Sequence, residues 1–321
     1  MTKDKLTEAY RLMVTSRAID DACDGLIESG HPVPNYHGAR GQEALYAGVG
    51  AELADEDFLL YNYRAFATLL AKGVEVTELM GDLMMNQSGT TRGHGGIMHV
   101  HKREAGIVGR NGVFGSKFGI ALGLAQRLVL TGRKGAVACM FGEAEGNRGG
   151  LYEAINLAIL RSLPVVFFAE NNGYAVAATT PILYGTGDMS GIWSPGALPV
   201  HKVDANDVQA VTEVAGEALR AARAGAGPAY VELVTQRLDP HHAHDDQSRY
   251  RTVEDLELAW RNDPLRKART SLEAAGISPD VLTDIEREAR QGVEAAVQRA
   301  SLAPAADIGL VHAGTWYDQK N

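Results

Sequence analysis

Residues 135–175 read "GAVACMFGEAEGNRGGLYEAINLAILRSLPVVFFAENNGYA", and this stretch decides the fold. It contains a continuous apolar run at 135–141, a polar turn, a helical pattern at 149–161 and a second apolar run at 164–170. A strand, a helix and a strand in this order form a βαβ unit, and fully apolar strands suit a parallel sheet that is covered on both faces. The sequence therefore predicts an α/β fold, with a parallel sheet and helices on both of its faces.

The flanking sequence predicts further helices and two more strands. We expect helices at 5–29, 42–52, 65–85, 206–224, 253–275 and 279–301, a short strand within "DFLLYNYR" (57–64) and another strand at 228–235. Residues 86–117 are rich in glycine and histidine and lack apolar periodicity, so they predict a long ordered loop of the kind that is usually functional. We interpret residues 1–321 as a single α/β domain whose helical C-terminal extension begins at about residue 253.

The composition is that of an ordinary globular protein. The chain has 321 residues, of which 45% are hydrophobic and 22% charged, and its formal net charge is −9. An acidic chain is a poor partner for nucleic acid or for an anionic membrane. We find no apolar run of about 18 residues and no signal-peptide pattern, so we expect a cytoplasmic protein. The two cysteines, Cys23 and Cys139, are interpreted as packing residues.

Polar side chains follow both strands of the βαβ unit. Glu143, Glu145 and Asn147 come after the first strand, and Asn171 and Asn172 come directly after the second. Parallel strands end at the same edge of a sheet, where ligands of this fold class bind. Carboxylate and amide oxygens suit Mg²⁺, which commonly binds phosphate oxygens as well. We therefore expect a diphosphate to supply the remaining ligands of the metal. The alternative interpretation is that Glu143 and Glu145 are solvated loop carboxylates and that Asn171 and Asn172 merely form turns.

The same residues carry a family resemblance. The stretch 141–177 resembles the thiamine-diphosphate motif of the alpha subunit of the decarboxylating component of 2-oxoacid dehydrogenase complexes, a family that includes pyruvate, branched-chain and acetoin dehydrogenases. The resemblance covers about residues 6–300. It also includes "YHGARGQEA" (36–44), "YNYRAFATLLAKG" (61–73), "SGTTRGHGGIMH" (88–99), "GRNGVFG" (109–115) and "RLDPHHAHDDQSRYRT" (237–252). The order and spacing of these segments together make the resemblance specific.

The resemblance implies roles for particular residues. It implies that Mg²⁺ is bound by the carboxylate of Glu143, the amide oxygen of Asn172 and the backbone carbonyl of Tyr174. It also implies a set of residues around thiamine diphosphate: His37, Tyr63, Arg64, Gly112, Phe114, Ala144 and Glu145. The physical chemistry of arginine agrees, since a guanidinium group binds phosphate oxygens in pairs. The alternatives are a surface ion pair for Arg64 and core packing for Phe114.

The histidine-rich segment 239–246 holds the expected catalytic residue. By resemblance its functional histidine is His241, which would donate to a developing oxyanion or move a proton. The acidic and aromatic residues that follow, Asp245, Asp246, Arg249 and Tyr250, are expected to order the loop. A separate metal site of His241, His242 and His244 is the alternative, although these residues do not have the spacing of a zinc-protease helix.

Several positions depart from the family pattern. The usual aspartate and glycine of the cofactor motif are replaced by Glu143 and Ala144, so cofactor affinity could be weaker. His242 stands where some animal members carry a phosphorylated serine, so switching by that modification is not expected. Gln236 and Asp239 replace a commoner tyrosine and glycine, which leaves the substrate preference open.

The resemblance also implies partners. In split members of the family the carboxylate that activates the cofactor comes from a beta subunit, so we expect an α2β2 heterotetramer. The expected reaction is decarboxylation of a small 2-oxo acid, or conversion of acetoin, with transfer to the lipoyl group of an acyltransferase. The alternatives are a subunit of a split transketolase-type enzyme and a non-catalytic relative with a degenerate cofactor motif. An NAD-binding domain is disfavoured because no G-x-G-x-x-G follows a first strand.

Overall fold

The computed structural model describes residues 1–193 and 196–309 and centres on a five-stranded parallel sheet. The strands in chain order are β1 (Phe58–Leu60), β2 (Val137–Gly142), β3 (Val165–Asn171), β4 (Tyr174–Ala175), β5 (Ala178–Thr179), β6 (Val200–Asp204) and β7 (Ala229–Val234). The order in the large sheet is β1-β2-β3-β7-β6, and every neighbouring pair is parallel. Strands β4 and β5 form a small antiparallel hairpin directly after β3. The α/β fold class predicted from the sequence is confirmed.

Helices surround the sheet. In chain order they are α1 (Lys3–Glu28), α2 (Glu43–Gly50), α3 (Phe66–Ala71), α4 (Val76–Leu83), α5 (Ser116–Thr131), α6 (Glu143–Gly146), α7 (Gly149–Leu160), α8 (Thr180–Leu183), α9 (Val208–Arg223), α10 (Val253–Arg261), α11 (Pro264–Ala274) and α12 (Pro279–Ser301). Three single-turn 3₁₀ helices lie in the loops, at Gly96–His99, Arg103–Ala105 and Gln247–Arg249. No helix of the described ranges is long and apolar enough to cross a membrane.

Two hydrophobic cores lie on opposite faces of the sheet because successive side chains of a strand alternate in direction. On β2, Ala138 and Met140 belong to the core that α1, α2, α4 and α9 cover. Cys139 and Phe141 belong to the other core, under α5 and α7. Both free cysteines are buried, in agreement with their interpretation as packing residues. Helices on both faces explain why the central strands are apolar throughout.

The C-terminal helices pack on the first core. Buried residues of α12 and α11, such as Val293 and Leu272, belong to the same cluster as Met13 of α1. The predicted helical extension from about residue 253 therefore consists of α10, α11 and α12. Its last part, residues 310–321, lies outside the described residues.

One predicted helix is divided in the structure, and several elements were not predicted from the sequence. The single helix predicted at 65–85 is two helices, α3 and α4, and the break contains Gly73 in the left-handed region with φ +87°. Helix α5 was missed because its apolar residues lie on every side: Phe118 is buried whereas Leu130 is 78% exposed. Edge strand β6 was missed because its residues alternate between exposed and half-buried and form no apolar run. The predicted turn after β2 contains the short helix α6.

Candidate functional site

The carboxyl ends of the strands open into a cavity of about 300 Å³. Ten of the eleven site residues predicted from the sequence line it: His37, Tyr63, Arg64, Phe114, Glu143, Ala144, Glu145, Asn172, Tyr174 and His241. Gly112 does not line the cavity, although its neighbour Phe114 does. The parallel sheet brings these residues together because β1, β2, β3 and β7 all end at this edge.

Glu143 lies at the start of α6, where the chain leaves β2, and is only 3% exposed. Its Oε1 accepts a 2.6 Å hydrogen bond from the backbone N–H of Asn172 at the end of β3. Burial raises the pKa of Glu143 to about 7, although hydrogen bonds from its own and the Asn172 backbone N–H oppose this shift. The two strand ends are thus joined through a carboxyl group that burial holds near its point of ionisation.

The amide of Asn172 is also oriented by neighbours. Its Nδ2 donates to the Oε1 of fully buried Gln42 at 3.2 Å, and its Oδ1 accepts from the Tyr174 N–H at 3.3 Å. Asn171 has a different surrounding: its Nδ2 donates to Glu232 at 2.6 Å and its Oδ1 accepts from the Thr180 hydroxyl at 2.9 Å, which leaves it a structural role. Asn172, and not Asn171, is therefore the amide that lies beside Glu143 at the cavity.

Asn147 also lies apart from the cavity lining. Its Nδ2 donates to the carbonyl of Leu183 in α8 at 3.2 Å. Asn147 therefore connects the turn after β2 to α8. Glu143 and Glu145 are both buried and are not solvated loop carboxylates.

Glu145 makes a buried ion pair. Its Oε2 lies 2.9 Å from the Nζ of Lys117, which is fully buried, and its Oε1 accepts from the Gly115 N–H at 3.1 Å. Lys117 also donates to the carbonyl of Met140 at 2.9 Å. The pair neutralises Glu145 and ties the start of α5 to the turn after β2. Sequence reasoning missed Lys117 because it lies on a helix that was not predicted.

Two arginine side chains also line the cavity. Arg64 is 1% exposed and donates through Nη2 to the backbone carbonyl of His241 at 2.7 Å, and through Nη1 to the carbonyl of Gly38. Its guanidinium carbon lies 5.2 Å from the centre of the Tyr63 ring, and that of Arg110 lies 4.9 Å from the same ring. Neither guanidinium group has an acidic ion-pair partner among the described residues, which argues against a surface ion pair for Arg64.

Two imidazole rings stand beside Arg64. The rings of His37 and His241 are 5.0 Å apart, and burial followed by the charge of Arg64 lowers the pKa of His37 to about 3 and that of His241 to about 2. Both rings are therefore neutral near pH 7. Since a guanidinium group can only donate, its 3.4 Å contact with His241 Nδ1 makes that atom an acceptor and places the proton on Nε2.

The loop that carries His241 is held by the contacts predicted for it. Asp245 Oδ2 accepts from the backbone N–H of His241 at 2.8 Å and also from the hydroxyl of Tyr250. Asp246 caps the following 3₁₀ turn through Ser248 and forms an exposed 3.4 Å ion pair with Arg249. Asp245 thus fixes the backbone of His241, whereas Asp246 acts only locally.

Asn62 and Glu170 were not singled out from the sequence. Asn62 lines the cavity, and its Nδ2 donates to Glu170 Oε2 at 2.7 Å. Glu170 is buried at the end of β3, also accepts from the Tyr46 hydroxyl at 2.9 Å, and has its pKa raised by burial. The position of Asn62 within "YNYR", directly after a buried strand, was the available signal.

The residues present fit a magnesium diphosphate group. The adjoining Glu143 carboxylate and Asn172 amide oxygen are hard oxygen donors of the kind that Mg²⁺ prefers. Two buried guanidinium groups without acidic partners in the described part of the chain, together with the Nε2–H of the neutral His241 ring, suit the oxygens of an anion. The cavity therefore combines both kinds of binding group within about 300 Å³.

Comparison with known proteins places the chain in a family. The family model described as "Dehydrogenase E1 component" matches residues 10–308. The alpha subunit of acetoin:2,6-dichlorophenolindophenol oxidoreductase from Bacillus subtilis (strain 168) is 31% identical over 309 residues, which cover 95% of this chain and 91% of that protein. The pyruvate dehydrogenase E1 component subunit alpha of Zymomonas mobilis is 33% identical over 304 residues, which cover 94% and 86% respectively.

A further relative extends the comparison to a second acetoin enzyme. The corresponding alpha subunit of acetoin:2,6-dichlorophenolindophenol oxidoreductase from Cupriavidus necator is 33% identical over 310 residues, which cover 95% of this chain and 92% of that protein. Relatives named for pyruvate and for acetoin are thus similar to this chain to about the same degree. The chain belongs to the dehydrogenase E1 component family of oxidoreductases, as an alpha subunit, and the family predicted from the sequence is confirmed.

Proposed function

We propose that this chain is the alpha subunit of a thiamine-diphosphate-dependent enzyme that decarboxylates a small 2-oxo acid, or converts acetoin, and transfers the acyl group to a lipoyl group. Membership of the family implies thiamine diphosphate as cofactor and a beta subunit as partner. The observation that carries the proposal is the cavity itself, which is lined by the adjoining Glu143 and Asn172 and also by Arg64.

The residues of this chain bind and orient the cofactor. In this proposal Mg²⁺ is held by the Glu143 carboxylate, the Asn172 amide oxygen and the Tyr174 carbonyl. Arg64 donates to the diphosphate. The Nδ1–H of the neutral His37 ring donates to the Asn35 carbonyl at 2.8 Å, which fixes the orientation of this ring at the cavity and leaves its Nε2 as an acceptor. When bound, thiamine diphosphate supplies the electron sink for cleavage of the bond next to the oxo carbon.

His241 acts as a hydrogen-bond donor in this proposal. Its pKa of about 2, caused by burial and by Arg64, means that the ring carries no positive charge at neutral pH. The Nε2–H donates to an oxygen that becomes negatively charged, whereas Nδ1 remains turned toward Arg64. Of the two roles expected for His241, donation to an oxyanion is therefore favoured over movement of a proton through an imidazolium ion.

A beta subunit would complete the site. Phe114 and Val176 line the cavity, yet they are 42% and 46% exposed. A second subunit placed over these side chains would bury them and exclude water from the reacting groups. We propose an α2β2 assembly in which the beta subunit also supplies the carboxylate that activates the cofactor.

The test uses this chain purified together with its beta subunit. Binding of thiamine diphosphate and Mg²⁺ is measured by calorimetry, and turnover of pyruvate, branched-chain 2-oxo acids and acetoin is followed with 2,6-dichlorophenolindophenol and then with a lipoyl domain. We expect cofactor binding, and CO2 release with the 2-oxo acid that is used. Absence of cofactor binding would leave only a non-catalytic role, and aldehyde release from a ketose would instead indicate a transketolase-type reaction.

A further inference from the structure

Arg110 is a buried cation at the cavity for which the proposed function provides no role. It is 9% exposed and lines the cavity together with Tyr63 and Met98. Among the described residues, its Nη1 contacts only the sulfur of Met98, a weak acceptor, at 3.8 Å, and its buried Nε has no hydrogen-bond partner. A guanidinium group removed from water without a strong acceptor is unfavourable unless a ligand supplies one.

The position of Arg110 indicates the charge of that ligand. Its guanidinium carbon lies 4.9 Å from the centre of the Tyr63 ring and that of Arg64 lies 5.2 Å from the same centre, so the two cations are within about 10 Å of each other. Neither has an acidic ion-pair partner in the described part of the chain. The two positive charges repel each other, and an anion between or beside them would remove the repulsion.

The backbone around Arg110 is fixed, so its side chain has a defined direction. The His99 Nδ1–H donates to the Arg110 carbonyl at 3.2 Å, and Gly109 precedes it with φ +111°, a conformation that side-chain-bearing residues rarely adopt. The backbone of Arg110 is therefore held in a fixed position in the wall of the cavity.

We propose that Arg110 is an anion-binding residue of this cavity, which acts together with Arg64 on an oxyanion. The inference rests on the proposed function, and the oxyanion is either a phosphate group of thiamine diphosphate or the carboxylate of the 2-oxo acid. Both present pairs of oxygens that a guanidinium group binds through two N–H donors.

The experiment compares three variants of the alpha subunit assembled with its beta subunit. Arg110→Met removes the charge but keeps the length of the side chain, and Arg110→Lys keeps the charge without the paired donors. Arg103→Met is the matched control, since Arg103 carries the same charge on an exposed 3₁₀ turn of the same loop. Circular dichroism verifies folding, and Arg110→Lys serves as the informative variant if Arg110→Met does not fold.

Two measurements distinguish the sources of the anion. If Arg110 binds phosphate, Arg110→Met lowers the affinity for thiamine diphosphate and for inorganic pyrophosphate, each titrated with Mg²⁺, by about tenfold to hundredfold. Arg110→Lys lowers both affinities by less. If it binds the substrate carboxylate, the KM for the 2-oxo acid rises by a similar factor while cofactor affinity is retained. The KM for acetoin, which has no carboxylate, then stays unchanged.

Other outcomes would overturn the inference. Folded Arg110→Met with unchanged affinity for cofactor and pyrophosphate and unchanged KM would show that no anion depends on this residue. Equal losses of affinity in Arg110→Met and Arg103→Met would show that the effect comes from the net charge of the chain and not from a binding site at Arg110. Failure of the unaltered enzyme to bind thiamine diphosphate would instead contradict the proposed function, and the pyrophosphate titration would still test Arg110.

Discussion

The buried carboxyl group of Glu143 should make metal binding depend on pH. Burial, opposed by hydrogen bonds from its own and the Asn172 backbone N–H, raises the pKa of Glu143 to about 7, and Mg²⁺ needs the ionised form. With this pKa about nine-tenths of the Glu143 side chains are protonated at pH 6 and about one-tenth at pH 8. The apparent affinity for Mg²⁺ should therefore rise about tenfold between these pH values, which corresponds to about 1.4 kcal/mol.

The variant Glu143→Gln isolates this effect, since glutamine has the size of the protonated side chain but does not titrate. Mg²⁺ is titrated by calorimetry into the assembled enzyme at saturating thiamine diphosphate, at pH 6 and pH 8, in buffers of different protonation enthalpy. The proton that the diphosphate itself releases is common to both proteins and cancels in the difference. We expect the unaltered enzyme to release about 0.9 more protons at pH 6 than the variant does, and to bind more tightly at both pH values.

Two results would refute this reasoning. Equal pH dependence in the unaltered enzyme and in Glu143→Gln would show that Glu143 does not ionise on metal binding. Equal affinity of the unaltered enzyme and of Glu143→Gln for Mg²⁺ at pH 8 would show that Glu143 is not a metal ligand. The control is Glu170→Gln: Glu170 is also buried with a raised pKa, but it does not line the cavity, so its replacement should leave the pH dependence of the unaltered enzyme intact.

Two further predictions concern stability. Lys117→Gln should lower the free energy of unfolding by about 3 kcal/mol, because Glu145 is then a buried charge without its partner. The double variant Lys117→Gln with Glu145→Gln should recover most of that stability. Urea unfolding of the assembled enzyme measures both variants, and additive losses of stability from the two single substitutions would contradict the pairing. Gly41→Ala should destabilise the protein by more than Gly73→Ala, although both glycines have φ near +88°, because a Cβ at Gly41 would lie 2.4 Å from the Gln236 carbonyl whereas one at Gly73 meets nothing within 4 Å. Equal melting temperatures of the two alanine variants would show that the loop at Gln236 moves aside at no cost.

Local sequence patterns predicted the central strands of the sheet better than they predicted its edge strand β6 and helix α5. The strands β2 and β3 begin as continuous apolar runs, and in β7 the apolar run is interrupted only by Glu232. Such runs between turn residues identify buried strands without knowledge of the rest of the chain. Edge strand β6 lacks this signal because only part of it faces the core. Helix α5 lacks a polar face because apolar residues such as Leu130 also lie on its exposed side, so its 3.6-residue period is weak.

The site was predictable to the extent that its residues follow strands or belong to quoted motifs. Glu143 and Asn172 follow neighbouring parallel strands, so their proximity follows from topology alone. His37, Arg64 and His241 lie on separate loops, and only the family resemblance placed them together. The ion pair of Glu145 and the unpartnered guanidinium group of Arg110 depend on side-chain packing between distant segments, for which no local pattern exists.

The free energies of the buried charges link the fold to the ligand. The pKa of Glu143 is raised from 4.5 to about 7 in the folded chain, so its contribution to stability is present below pH 4.5 and is lost as the pH rises to about 7, a loss of about 3 kcal/mol. At neutral pH the ligand-free protein therefore bears the cost of a buried carboxylate, and Arg64 and Arg110 are buried without acidic partners as well. A magnesium diphosphate group would provide a cation for Glu143 and an anion for the two arginines. Because the affinity for Mg²⁺ is expected to be higher at pH 8 than at pH 6, binding should raise the melting temperature by more at pH 8 than at pH 6.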